Sequence, residues 1–175
     1  MARRLQARGV RVVKIDDATD FEGVRADVRR VASALDRPSE GEALIAHMDA
    51  ELKAAHGAWG GRRALYFVPG GFTAGQGTLV GAILAAAGLR NAAVSADFAP
   101  VSLERLAIDP PDGFVLGFFD PASAQTQHWS ISRRGALRRI AAGRVLASLP
   151  GAKLGCPAWF AADAAADLAR AARRP

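Results

Sequence analysis

Residues 64–88 constrain the fold most. ALYFV (64–68) is a short apolar run, PGGFTAGQG (69–77) is turn-forming, and TLVGAILAAAG (78–88) is a small-residue helical pattern stopped by glycine. Strand, glycine-rich loop and helix in that order are the repeating unit of a parallel sheet. Similar signals follow. Ser102 to Ala107 reads as a short helix with Ser102 as its N-cap, and Gly113 to Phe119 as a strand behind the turn Asp109-Pro110-Pro111-Asp112. Arg134 to Ala142 reads as a helix, Arg144 to Ser148 as a strand, and Pro157 to Ala172 as a closing alanine-rich helix. Alternation of this kind predicts a three-layer α/β lobe with a mainly parallel, Rossmann-like sheet.

The chain ahead of residue 60 has a different texture. Val10 to Ile15 (VRVVKI) is β-branched and predicts a buried strand, and Asp16 to Asp20 a loop with helix-start chemistry. Val24, Val28, Val31 and Leu35 then fall on one helical face. Pro38 interrupts the pattern, and Ser39 with Glu42 three residues on has the form of a capping box. Residues 21–57 are therefore two helical segments, or one long helix jointed near Pro38. Three regions result: 1–20, a helical stretch 21–57, and an α/β lobe 60–175.

The chain has 175 residues, enough to bury about 70% of its unfolded surface without disulfide or metal help. A single cysteine, Cys156, excludes an internal disulfide and any cysteine-cluster metal site. Of the 23 basic residues 20 are arginine, and they are scattered in pairs such as Arg3-Arg4, Arg29-Arg30, Arg62-Arg63 and Arg173-Arg174 rather than concentrated on one aromatic-bearing element. The formal charge of +6 thus gives no nucleic-acid surface. The longest strongly apolar stretch, Leu79 to Leu89, is interrupted by glycine and far short of a bilayer span. The basic opening at Met1 to Arg4 has no apolar run behind it, so no export signal is read there.

The glycine-rich loop lies where open α/β sheets bind ligands, and its amides would favour an anion. Neither nucleotide pattern fits. A phosphate loop counted from Gly70 needs lysine where Gln76 stands, and a dinucleotide loop counted from Gly75 needs glycine where Val80 stands. Tight chain connection is the simpler use of these glycines. No catalytic set assembles either. His47, His56 and His128 lack metal-ligand spacing, Ser102 lacks a nucleophile elbow, Asp16-Asp17 has no partner carboxylate, and Cys156 reads as a small buried hydrophobe.

ALYFVPGGFTAGQGTLVGAILAAAGLRNAA, VSLERLAIDPPDGFVL and CPAWFAADAAADLARA together resemble the carboxyl-terminal half of a known family: the substrate-binding proteins of ABC importers for iron-siderophore complexes, haem and cobalamin. The most specific parts are the Gly71-Phe72-Thr73-Ala74-Gly75 loop, Ala87 to Asn91, Val101 to Glu104, and Asp109 to Asp112. The resemblance implies two α/β lobes joined by a long helix, with ligand held between them and no catalysis, cofactor or structural metal. Residues 1–20 would be a remnant of a first lobe that is otherwise largely missing, 21–57 the connecting helix, and 60–175 the ligand-binding lobe.

By the same resemblance, Gly71, Phe72, Thr73, Phe98, Cys156 and Trp159 would line the ligand cleft. Glu104 would dock on the membrane permease. The ligand would be an iron chelate, haem or a corrinoid, and the location periplasmic. A genuine start at Met1 would instead give a truncated cytoplasmic α/β interaction domain. With the first lobe missing, the Val24, Val28, Val31 and Leu35 stripe would lose its cover and favour a homodimer.

Overall fold

A computed structural model describes residues 2–119 and 139–173. The elements are α1 (Ala2–Gln6), α2 (Phe21–Ala34), α3 (Pro38–Ala55), β1 (Arg63–Phe67), β2 (Phe72–Thr73), α4 (Leu79–Ala86), β3 (Arg90–Asn91), β4 (Ala99–Pro100), α5 (Leu103–Ile108), β5 (Gly113–Gly117), β6 (Val145–Leu149), a 3-10 turn at Gly151–Lys153, and α6 (Ala161–Ala172). Most of the helix expected over 134–142 lies outside the described residues, and 139–141 are helical. The closing helix begins at Ala161, four residues later than expected.

The main sheet has the order β3-β1-β5-β6, and all three pairings are parallel. This is the parallel α/β architecture that the strand and helix alternation predicts. Side chains alternate across it as the strand period requires. Ala64, Tyr66 and Val115 enter a core shared with α2, α3, α4 and α6. Leu65, Phe67 and Phe114 enter a second core, closed by Leu106 of α5 and flanked by Ile140 and Ala141. Helices thus cover both faces. Alanine dominates the α6 contact, where Ala161, Ala162, Ala164, Ala165 and Ala169 are buried with Leu168 and let the helix lie close to the sheet.

Local chemistry explains most helix starts. Asp20 accepts from the Gly23 amide at 2.8 Å, Thr78 from Gly81, and Ser102 from Arg105. The capping box at Ser39 does not form. Pro38 takes the first helical position of α3 and Arg37 the cap, so Ser39 is already inside the helix and bonds Glu40, while Glu42 receives Arg29. The helical stretch is realised as two helices separated by a turn in which Asp36 has φ +56°. They pack against each other through Arg25 to Asp49 and Arg29 to Glu42.

Val10 to Ile15 has no regular secondary structure and is not a strand. A strand is completed by a neighbour, and no described residue pairs with this segment; Val10, Val13 and Ile15 stay exposed. The helical stripe splits as well. Val24 is buried at 1% exposure, whereas Leu35 is 65% exposed.

The turn after α3 joins the helix pair to the lobe. Gly88 (φ +83°) closes α4, and a Cβ there would come within 2.7 Å of the Gly57 Cα. The Trp59 and Gly61 amides donate to the Ala87 and Gly88 carbonyls, and Trp59 Nε1 donates to the Leu168 carbonyl of α6 at 2.9 Å.

Candidate functional site: the carboxyl ends of the strands

The glycine-rich loop folds onto the chain before α5. Gly71 takes φ +76° and donates to the Val68 carbonyl, which turns the chain back so that β2 pairs with β4. That pairing is antiparallel, with Phe72 opposite Pro100 and Thr73 opposite Ala99. The Gly75 amide donates to the Asp97 carbonyl at 3.1 Å, so the same register carries on past the two-residue strands. Phe98 lies just before β4, across from Ala74, which turns into the main core and is fully buried. Phe72 is 46% exposed and Phe98 62% exposed.

Gly71 and Thr73, the other two loop residues expected at the cleft, are buried. Gly71 is buried and its carbonyl accepts from the Val101 amide. Thr73 is 5% exposed, and its hydroxyl is buried with no hydrogen-bond partner among the described residues.

The expectation that the loop offers free amides to an anion is corrected. Gly75 and Gly77 donate to Asp97 and Ala96, Thr78 to Gly75, and Gly81 to the Thr78 hydroxyl. The glycines serve close packing. A Cβ on Gly75 would lie 2.0 Å from the Ser95 carbonyl oxygen, and one on Gly81 would lie 2.3 Å from that of Gly75.

One aromatic residue here escapes a reading by pattern. Gly113 to Phe119 reads as continuous strand, but β5 ends at Gly117 and Phe118 turns the chain with φ +60°. Phe119 is thereby exposed at the carboxyl end of β5, its ring 5.9 Å from that of Phe67. The doubled Phe after a glycine was the available signal.

Trp159 keeps different company. Its ring meets His47 edge-on at 6.0 Å, and it lines an apolar groove of about 460 Å³ with Val28, Val31, Leu35 and Leu44. Cys156 is exposed, which corrects its reading as a buried hydrophobe: its neighbours Leu154 and Trp159 pack against the core, while Cys156 sits on the outside of the bend between them.

Glu104 stands exposed in the first turn of α5, with Ser102 Oγ donating to its Oε2 at 2.9 Å. The base of α5 is tied to the sheet. Arg63 grips both Asp109 oxygens, its backbone amide donates to Asp112 Oδ2 at 2.9 Å, and this turn thereby fixes the start of β1. The guanidinium holds the Asp109 carboxyl below its ordinary range, and Asp109 raises Arg63 in return.

Residues 2–126 match the family model described as periplasmic binding protein. The chain belongs to the periplasmic binding protein family. Among solved structures, the periplasmic haem-binding protein BhuT, in complex with two haems, is similar at 27% identity and TM-score 0.75; the match covers 98% of this chain and 69% of BhuT. The periplasmic haem-binding protein RhuT from Roseiflexus sp. RS-1 is similar at 25% identity and TM-score 0.75, over 98% of this chain and 70% of RhuT. A possible iron-binding protein from Staphylococcus epidermidis ATCC 12228 shares the fold at 19% identity and TM-score 0.75, with 99% and 70% covered. A comparison with curated proteins yields no match. Among the described residues of this periplasmic binding protein, no helix is long and apolar enough to cross a membrane.

Proposed function

We propose that the protein is the substrate-binding component of an ABC importer acting in the periplasm, and that its ligand is a large flat or chelated molecule of the haem or ferric-siderophore type, with corrinoids in the same class. The reading rests on one observation: Phe72 in β2 and Phe98 just before its partner β4 both stand exposed, at the carboxyl ends of the strands. Exposed aromatic rings are costly unless covered. Held by a backbone ladder, they offer area to a planar ligand with little ordering left to do on binding. The haem-binding descriptions of BhuT and RhuT support a tetrapyrrole first.

In this reading Gly71 and Thr73 shape the loop behind Phe72, and Cys156 and Trp159 border the ligand from the segment before α6. The chemistry is capture and release, with no bond made or broken by the protein. Glu104 presents a carboxylate to a basic pocket on the permease, at the helix end where negative charge is favoured. The α2 groove around Val31, Leu35 and Leu44 would hold a second copy of the chain as a homodimer.

Titration with haemin, a ferric siderophore and cobalamin, read by tryptophan quenching, tests the ligand. Phe72→Ala and Phe98→Ala should each weaken the tightest of the three by about tenfold, as expected for loss of one aromatic contact. Unchanged affinity in both variants would remove the aromatic cleft.

A further inference from the structure

The outer edge of the sheet carries chemistry that ligand capture does not use. Strand β6 pairs with β5 on one side, and among the described residues nothing pairs with its other side. A strand in a parallel pair sends only part of its peptide groups to its neighbour, so β6 directs the rest outward. Natural edges are commonly blunted by lysine, proline or a bulge. Val145–Leu149 contains neither lysine nor proline. It has one bulge at Leu146, between the residues that face Phe114 and Val115, which leaves Ala147 to Leu149 as a straight run.

A groove of about 720 Å³ follows residues 143–149 along this edge, floored by α6 and by Trp59. Arg62, Arg144 and Arg170 line it against a single carboxylate, Asp167. Asp167 is already engaged by Lys153 at 2.5 Å and by Arg170. Arg62 lies over the Trp59 ring, 5.9 Å from its centre. Outward peptide groups and surplus positive charge thus share one groove.

We propose that the β6 edge accepts an extended acidic peptide as an added strand, its backbone paired along Ala147 to Leu149 and its carboxylates set against Arg144 and Arg62. Charge decides between the two natural occupants of such an edge. A second copy of this chain would bring the same three arginines together across the seam, whereas an acidic segment neutralises them. The groove contains none of Phe72, Phe98, Cys156 or Trp159, so this site and the ligand cleft stand or fall separately.

The test uses the full chain and a fluorescein-labelled heptapeptide that alternates valine with aspartate and glutamate, read by anisotropy. The same peptide with lysine at the acidic positions should bind at least tenfold more weakly, and so should the acidic peptide N-methylated at its central residue. Arg144→Glu should cost about tenfold while circular dichroism stays unchanged. The N-methylated peptide leaves the protein untouched, so the idea remains testable if a variant fails to fold. No binding of the acidic peptide, equal binding of the acidic and basic peptides, or indifference to N-methylation would overturn the proposal. So would a dimer that Ala147→Pro dissociates, which would assign the edge to a second copy.

Discussion

Tyr66 and Gly117 interlock across neighbouring strands: a Cβ added at residue 117 would lie 2.1 Å from the Tyr66 hydroxyl oxygen and 2.5 Å from two ring carbons. The largest fully buried side chain in the described core therefore takes its space from a missing one. Gly117→Ala should destabilise the fold by about 3 kcal/mol, the upper part of the range for overpacking a well-filled core. Tyr66→Phe should not rescue it, because the ring carbons remain. Chemical denaturation of the two single variants and the double variant checks this, and full rescue by Phe would contradict the geometry.

Tyr66 also sets an alkaline limit. Burial pushes its phenol well above the ordinary value, since ionising it would place a charge in the core. The unfolded chain releases this proton near the usual pH of about 10, so above that pH the native state holds more protons than the unfolded state and stability falls as pH rises. Tyr66 is the only tyrosine. Absorbance near 295 nm should stay flat past the ordinary titration range and then rise together with unfolding. A normal titration in the folded protein would show that the ring is not sealed.

Thr78 works in two directions at the start of α4, donating to the Gly75 carbonyl at 2.8 Å and accepting from the Gly81 amide at 3.1 Å. Thr78→Ala removes a buried cap and should cost about 1 to 2 kcal/mol. Thr78→Ser keeps both bonds and should cost less than half of that. Urea midpoints of the two variants decide; equal losses would assign the effect to the methyl group instead.

Leu35 and its neighbours should drive self-association. Covering one such side chain is worth about 1.5 to 3 kcal/mol, and losing it corresponds to roughly ten- to hundredfold in an association constant. Sedimentation at rising concentration should show a dimer for the parent chain and a monomer for Leu35→Asp. A parent that stays monomeric at high concentration would remove the homodimer.

Legibility tracked how local the physics is. Ser102 is legible as a cap and Asp16 to Asp20 as a helix start because the bonds that cap α5 and α2 span three residues, whereas Thr78, which the pattern places inside its helix, is the cap of α4. The parallel sheet was legible from strand and helix alternation, which is also local. Val10 to Ile15 was misread because β-branching reports an extended preference, while a strand depends on a neighbour that the pattern cannot see. Gly75 looked like ligand chemistry for the same reason: the Ser95 carbonyl that requires it is 20 residues away in the chain. Phe72 and Phe98 enter by resemblance alone; the β2 and β4 pairing that brings their segments together joins residues far apart in the chain, which no single-residue property encodes.

The seat of Gly57 on Gly88 has a mechanical consequence. Two backbones in contact there, two amide bonds from residues 59 and 61, and the indole bond to α6 fasten the end of α3 at three separate places. The joint has no slack. A load on the helix pair is therefore passed straight to α4 and α6 instead of being taken up by a bend at residues 57–61.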